Sequence, residues 1–158
     1  MKLHFKQRLF SWFDSYDIYN EYDEPVFTVE GKLAWGHRLV IYDGNHREIG
    51  LVQQEILTLL PKFSLYEDGL LKGTIKREFT LFKPTYHIDY NDWRIEGNWM
   101  GWDYSIYDSS GNTVATISKE LWHFTDHYTI DVKNKEDALR ALMVVLAIDA
   151  DKCAQNNG

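Results

Sequence analysis

Residues 138–148 read ALRALMVVLAI, ten apolar residues out of eleven, with Arg140 the exception. A bilayer span needs about 20 such residues, so this stretch is too short to be one. It carries no polar face either, which an ordinary surface helix would show. A helix that is apolar all round has to be surrounded. The polar turn before it, VKNKED at 132–137, offers Asn134 as an N-cap and Asp137 three residues on in a capping-box-like position. Glu136 and Asp137 also suit the positive end of the helix dipole. A helix over about 135–151 would be roughly 25 Å long at 1.5 Å per residue.

The rest of the chain reads as strand, and it is built on a repeat. IYDGNHREIGLVQQE (41–55) and IYDSSGNTVATISKE (106–120) share their opening Ile-Tyr-Asp, an apolar residue eight positions after the Ile and a closing Glu. VEG (29–31) and IEG (95–97) stand upstream of the two copies. Beneath this duplication lie six shorter units beginning at Phe5, Val29, Val52, Ile75, Ile95 and Ile117, 20 to 24 residues apart. Each reads as strand, short turn, strand. Leu3, Phe5 and Leu9 alternate with Lys2, His4, Lys6 and Arg8, and Tyr128, Ile130 and Val132 alternate with polar residues, the period of a half-buried strand. Turns rich in Gly, Asn, Asp and Pro separate the units. Six units of two strands predict twelve strands over about 2–132, and the short connections predict antiparallel neighbours.

Eight strands make a barrel that its own side chains fill, whereas twelve leave an interior to be occupied. A helix with its side chains is about 10–12 Å across. The expected fold is therefore a mainly β, closed twelve-stranded antiparallel barrel around a buried C-terminal helix, one domain spanning residues 1–158. Closure would remove the sheet edges. A sandwich with the helix on one face would leave a polar helical stripe, and there is none.

The ordered set KQRLFSWFD (6–14), EPVFTVEGKLAWG (24–36), LVIYD (39–43), LTLLPKFSLYEDG (57–69), IKREFTLFKPTYHI (75–88), WRIEGNWMGWDYSIYD (93–108), VATISKELW (114–122) and LAIDADK (146–152) resembles the LURP-one-related family of the tubby C-terminal-like superfamily, in particular its bacterial YxjI-like branch. The resemblance covers essentially the whole chain and implies the same helix-filled twelve-stranded barrel. Other branches of the superfamily are the phosphoinositide-binding tubby domains and the phospholipid scramblases. The resemblance thus implies a lipid-headgroup or membrane-surface binding module, with a structural or regulatory protein–protein domain as the alternative. No tubby lipid-binding motif matches these residues, so no site carries over.

Composition narrows the classes. The chain has 158 residues, 15% of them aromatic, and a net charge of −7. An acidic chain is poorly suited to nucleic acid, whose binding rests on Lys and Arg neutralising phosphates. Cys153 is the sole cysteine, which excludes a disulfide framework or a cysteine zinc site within one chain. The opening MKLHFKQRLF lacks the continuous apolar run of a signal peptide, so the cytoplasm is the expected location. No Gly-x-Ser-x-Gly, glycine-rich phosphate loop or nucleophile with its base is present; no enzyme activity and no cofactor are expected.

Three groups of residues remain as candidates. The turns inside the units are apolar, and an up-and-down meander gathers them at one barrel end: Phe10, Trp12, Phe13, Trp35, Leu59, Leu60, Phe82, Trp102, Trp122 and Phe124. They either form an exposed rim for a membrane or partner or, the reading favoured by the sequence, fold inward over the helix end. Lys72, Lys76, Arg77 and Lys83 form a basic cluster, a candidate contact for an anionic lipid headgroup against the plainer reading of a solvated face. Lys2, Lys6 and Arg8 are their counterparts in the first half. His123 and His127, near Glu120 and Asp126, fall across a turn without a metal-binding helix motif. Arg140 is expected at one barrel mouth, paired with a turn carboxylate or reaching solvent, and Asp149 and Asp151 at the other.

Overall fold

The computed structural model describes residues 1–5, 15–32, 34–81, 85–122 and 125–156, and of these the side chains of all but 120–122, 125, 126 and 156. Twelve strands follow in chain order: β1 (Lys2–Phe5), β2 (Ser15–Tyr19), β3 (Pro25–Lys32), β4 (Arg38–Asp43), β5 (Glu48–Glu55), β6 (Lys62–Glu67), β7 (Leu70–Glu78), β8 (Thr85–Asp89), β9 (Arg94–Asn98), β10 (Asp103–Tyr107), β11 (Thr113–Trp122) and β12 (Thr125–Val132). All pairings are antiparallel, as the short turns require.

The duplicated Ile-Tyr-Asp runs do the same work twice. Ile41 and Ile106 point inward and are fully buried, and the register shifts by one residue just after each. Asp43 Oδ1 then accepts the N–H groups of Asn45 at 2.9 Å and Arg47 at 3.0 Å. Asp108 Oδ1 accepts those of Ser110 at 2.9 Å and Asn112 at 2.8 Å. A carboxylate that caps its own turn two and four residues on holds the hairpin without tertiary help.

The sheet order is β8-β7-β6-β5-β4-β3-β2-β1-β12-β11-β10-β9. Its two ends, β8 and β9, are neighbours in the chain, yet no hydrogen-bonded register joins them among the described residues. The expectation of a closed barrel is corrected here: the barrel is nearly closed, with one seam. A tight turn does begin between these strands, with Asn91 and Asp92 both at positive φ and the Trp93 N–H donating to the Tyr90 carbonyl at 3.2 Å, the geometry of a two-residue hairpin loop. Beyond it the ladder is lost. Gly97 sits at φ +120° with the Asp103 carbonyl and Tyr104 Cα each 2.8 Å from where a Cβ would stand. A side chain there would clash with β10, so this position of β9 needs glycine.

The helix α1 runs Ala138–Asn156, preceded by a 3-10 turn at Lys135–Asp137. It continues five residues past the expected 151. Asn134 sits at the cap position with extended φ and ψ, but its side chain makes no capping bond; its carbonyl accepts the Asp137 N–H at 2.9 Å instead. Every residue from Ala141 to Asp151 is buried, and the inward positions of the strands, among them Leu3, Ile18, Val29, Val52, Leu65, Ile75, Ile117 and Ile130, are buried with them. Gly50 lets the helix approach β5: a Cβ there would stand 3.1 Å from Leu139 and 3.3 Å from Met143.

One buried titratable group predicts a pH dependence. His37 stands just before β4, is 4% exposed, and its ring lies 6.5 Å from that of Phe63. Burial pushes its pKa down from 6.5 to about 4, because the imidazolium loses its hydration. The folded chain therefore holds this group neutral while the unfolded chain protonates it below about 6.5. Stability from this position is full above that pH and falls as pH drops toward 4, by about 2 kcal/mol between pH 7 and 5. Urea melts at both pH values check it: in His37→Phe the difference between them should shrink by that amount.

Candidate functional site

In this sheet order the far ends of β1, β3, β5, β7, β9 and β11 lie at one end, and α1 finishes there. Two kinds of apolar residue occupy that end. Trp99 and Trp102 turn inward, at 7% and 8% exposure. The short β9–β10 connection is a single 3-10 turn capped by the Asn98 side chain, and it returns through Trp102 at φ 60°. That left-handed residue lays its ring 4.4 Å from Tyr128 and under the Lys152 ammonium. The β3–β4, β5–β6 and β7–β8 turns do the opposite. Trp35 is 85% exposed, Leu57 97%, Leu59 100%, Phe79 75% and Leu81 95%. The inward-folding expectation thus holds for Trp102 and is corrected for Trp35 and Leu59, while Leu60 is half-buried. Phe10, Trp12, Phe13, Phe82, Phe124 and the Trp122 side chain lie outside the described residues.

The exposed side chains form one arc. β3 to β8 are consecutive in the sheet. The β3–β4 turn packs on the β5–β6 turn, with Ile56 Cγ2 3.1 Å from the Cβ position of Gly36. The β5–β6 turn in turn holds β7, as Pro61 accepts the Arg77 N–H at 3.0 Å. Large apolar residues exposed on neighbouring turns are of the kind that marks contact sites.

The predicted basic cluster separates. Lys72 and Lys76 face solvent on β7, Arg77 faces the interior, and Lys83 lies outside the described residues. Lys2 is on β1, six places along the sheet from β7; Lys6 and Arg8 are outside the described residues. Lys76 instead stands directly opposite Lys62 on β6 and His87 on β8. This row runs across the strands just behind the apolar tips.

Two ion-pair networks tie the helix to the wall. At the end where the polar turns gather, Arg140 donates to Glu67 through Nε at 2.9 Å, with Asp137 3.7 Å away. The Tyr90 hydroxyl also donates to Glu67. Burial works to raise the Glu67 pKa, but the Arg140 and Tyr90 hydrogen bonds outweigh it and hold the carboxyl below its usual range. The expectation that Arg140 pairs with a turn carboxylate is met. At the other end Asp151, fully buried, receives Arg77 at 2.9 Å and the Tyr86 hydroxyl at 2.6 Å. Burial, then the hydrogen bond to Asp151, pushes the Tyr86 phenol well up. Lys152 donates to the Trp99 carbonyl at 3.2 Å, and burial lowers its pKa. Asp151 was legible as a mouth residue; Tyr86 and Tyr90 were not, since a strand tyrosine carries no mark of where its hydroxyl will end.

Among the described residues, Glu67 pairs with Arg140 and Asp151 with Arg77, and both pairs tie the helix to the wall. Among the described residues no group of three His, Cys, Asp or Glu side chains is placed to hold a metal; His127 is half-buried and His123 lies outside them. No described helix is long and apolar enough to cross a membrane.

Comparison with known proteins agrees with this geometry. The family model described as LURP-one-related matches residues 1–149. An uncharacterised Bacillus subtilis protein, YxjI, is 25% identical over 150 residues, covering 94% of this chain and 92% of its own. An X-ray structure of an Arabidopsis thaliana protein superposes with a TM-score of 0.64 at 18% identity, over 94% of this chain and 90% of that one; a likeness at that identity speaks to the fold alone.

Proposed function

The chain belongs to the LURP-one-related family, and we propose that it is a non-enzymatic module that docks on the surface of a membrane, at its cytoplasmic face, through the arc of apolar turn tips. The observation that carries this reading is the exposure of Trp35, Leu57, Leu59, Phe79 and Leu81 on three adjoining turns at one end of the barrel. Half-burying five such side chains is worth about 5 kcal/mol, enough for reversible attachment and far short of a span. Trp and Leu suit the interface and the outer acyl region respectively. Lys62 lies three residues after Leu59 and Lys76 three before Phe79, at most about 10 Å from those tips. That spacing sets their ammonium groups at headgroup depth when the tips reach the acyl boundary, and it keeps Lys76 of the predicted basic cluster as an anionic-headgroup contact.

Sedimentation with phosphatidylcholine vesicles, with and without phosphatidylglycerol, tests this. Wild type should bind both and favour the anionic ones. Leu59→Glu with Leu81→Glu should lose at least about tenfold in binding, since a charge entering the apolar layer costs more than 1.4 kcal/mol; both positions are exposed, so the fold is unaffected. Lys62→Glu with Lys76→Glu should remove only the anionic preference. Wild type that leaves both vesicles in the supernatant, or a Leu59/Leu81 variant that binds like wild type, returns the arc to the protein-partner reading.

A further inference from the structure

The seam between β8 and β9 is a second place where the molecule is unfinished. In the register their turn sets, Thr85 would face Asn98 and Tyr86 would face Gly97. A cavity of about 500 Å³ lies there instead, lined by Thr85 and Tyr86 on one wall and by Ile95 to Met100 on the other. Each wall is the last strand of the sheet, so each presents backbone edge groups that no described ladder uses. The floor is apolar and aromatic: half-buried Ile95, and Tyr86 edge-on to buried Trp99 at 4.9 Å. The lips are acidic. Asp89, Asp92 and Glu96 are exposed along the seam, against Arg94, which pairs with Glu96 at 2.8 Å.

We propose that this cleft binds an extended peptide segment of a partner protein. The segment would add backbone hydrogen bonds to these edges, seat a bulky apolar side chain against Tyr86, Ile95 and Trp99, and place Lys or Arg beside Asp89 and Glu96. Each feature selects this occupant. Edge N–H and C=O groups that no described ladder uses take a strand by augmentation, and an acyl chain has nothing to offer them. A second copy of this chain presents its own edges only within a curved wall, too broad to enter between two strands, whereas a single extended segment is about 4.8 Å from each neighbour when paired. The acidic lips oppose an acidic segment and attract a basic one. Its test is separable from that of the membrane reading, because Leu59, Leu81, Lys62 and Lys76, varied there, do not line this cavity.

The test is an amide NMR titration of the ¹⁵N-labelled chain with a panel of capped pentapeptides, Lys-Thr-X-Thr-Lys with X as Leu, Phe, Tyr or Trp. At least one member should shift the amides of Thr85, Ile95, Gly97 and Met100 and slow hydrogen exchange on β9. N-methylation of its central amide keeps every side chain and removes one main-chain bond, so binding should fall about tenfold. Exchanging the flanking Lys residues for Glu should weaken it further, and Glu96→Lys should weaken the Lys peptide. A panel that leaves the seam amides unmoved, or an N-methylated peptide that binds as well as its parent, overturns the proposal.

Discussion

A chain ending at Asn134 should have no native fold. Its far-ultraviolet circular dichroism should lose the antiparallel signal and its amide spectrum should collapse toward random-coil positions. The reason lies in what the helix buries. Leu142, Met143, Val144, Val145, Leu146 and Ile148 are each at most 1% exposed, and full burial of such side chains contributes about 1.5–3 kcal/mol apiece. Six of them come to roughly 10 kcal/mol or more, comparable to the whole stability of a domain this size. The strands cannot recover the loss by collapsing inward, because Leu3, Ile18, Val29, Val52, Leu65 and Ile117 line a wall whose curvature leaves a space about a helix wide. The denatured fragment should bind a hydrophobic dye, and a synthetic 135–156 peptide added in excess should restore part of the spectrum. A soluble fragment with dispersed amide resonances would show that the strands hold themselves up without the helix.

Much of this architecture was legible because it depends on side-chain pattern. Period-two alternation marked Leu3 and Phe5, or Tyr128, Ile130 and Val132, as inward pairs, and all are buried. The Ile-Tyr-Asp duplication marked equivalent turns, and Asp43 and Asp108 cap them alike. The same alternation separates the basic cluster: Ile75 is buried, so Arg77 two residues on must share its inward face while Lys76 faces out. The ladder missing between β8 and β9 among the described residues left no such trace, since an unpaired edge is a property of backbone geometry and not of side-chain pattern. Nor did composition separate Trp102 from Trp35. Both are tryptophans in apolar turns. What divides them is the capped 3-10 turn and left-handed return that aim Trp102 at Tyr128 and Lys152, a device set by Asn98 and the tightness of the loop.

Asp151→Ala should cost about 3–5 kcal/mol, the usual penalty for leaving one member of a buried ion pair alone, and lower Tm by roughly 10 °C for a chain of this length. Asp151 is fully buried, accepts from both Arg77 and Tyr86, and is approached by Gln155 at 3.2 Å. Its loss strands a guanidinium and a phenol in the interior at once. The penalty arises from the orphaned charge more than from the lost bond, so Arg77→Met combined with Asp151→Leu should be closer to wild type than Asp151→Ala. Asp151→Asn, which keeps an acceptor for Tyr86 but no charge for Arg77, should fall between. The position also matters for the seam. Asp151 holds β7 and β8 on one side, while the next residue, Lys152, holds the Trp99 carbonyl on the other. Consecutive residues of one helix therefore span a gap that no described strand ladder closes. In Asp151→Ala, amide exchange should rise first at β8, whose described ladder is to β7, and only later across β1 to β6. Uniform loosening of all strands, or a Tm within a degree of wild type, would mean that the helix plugs the barrel without latching its seam.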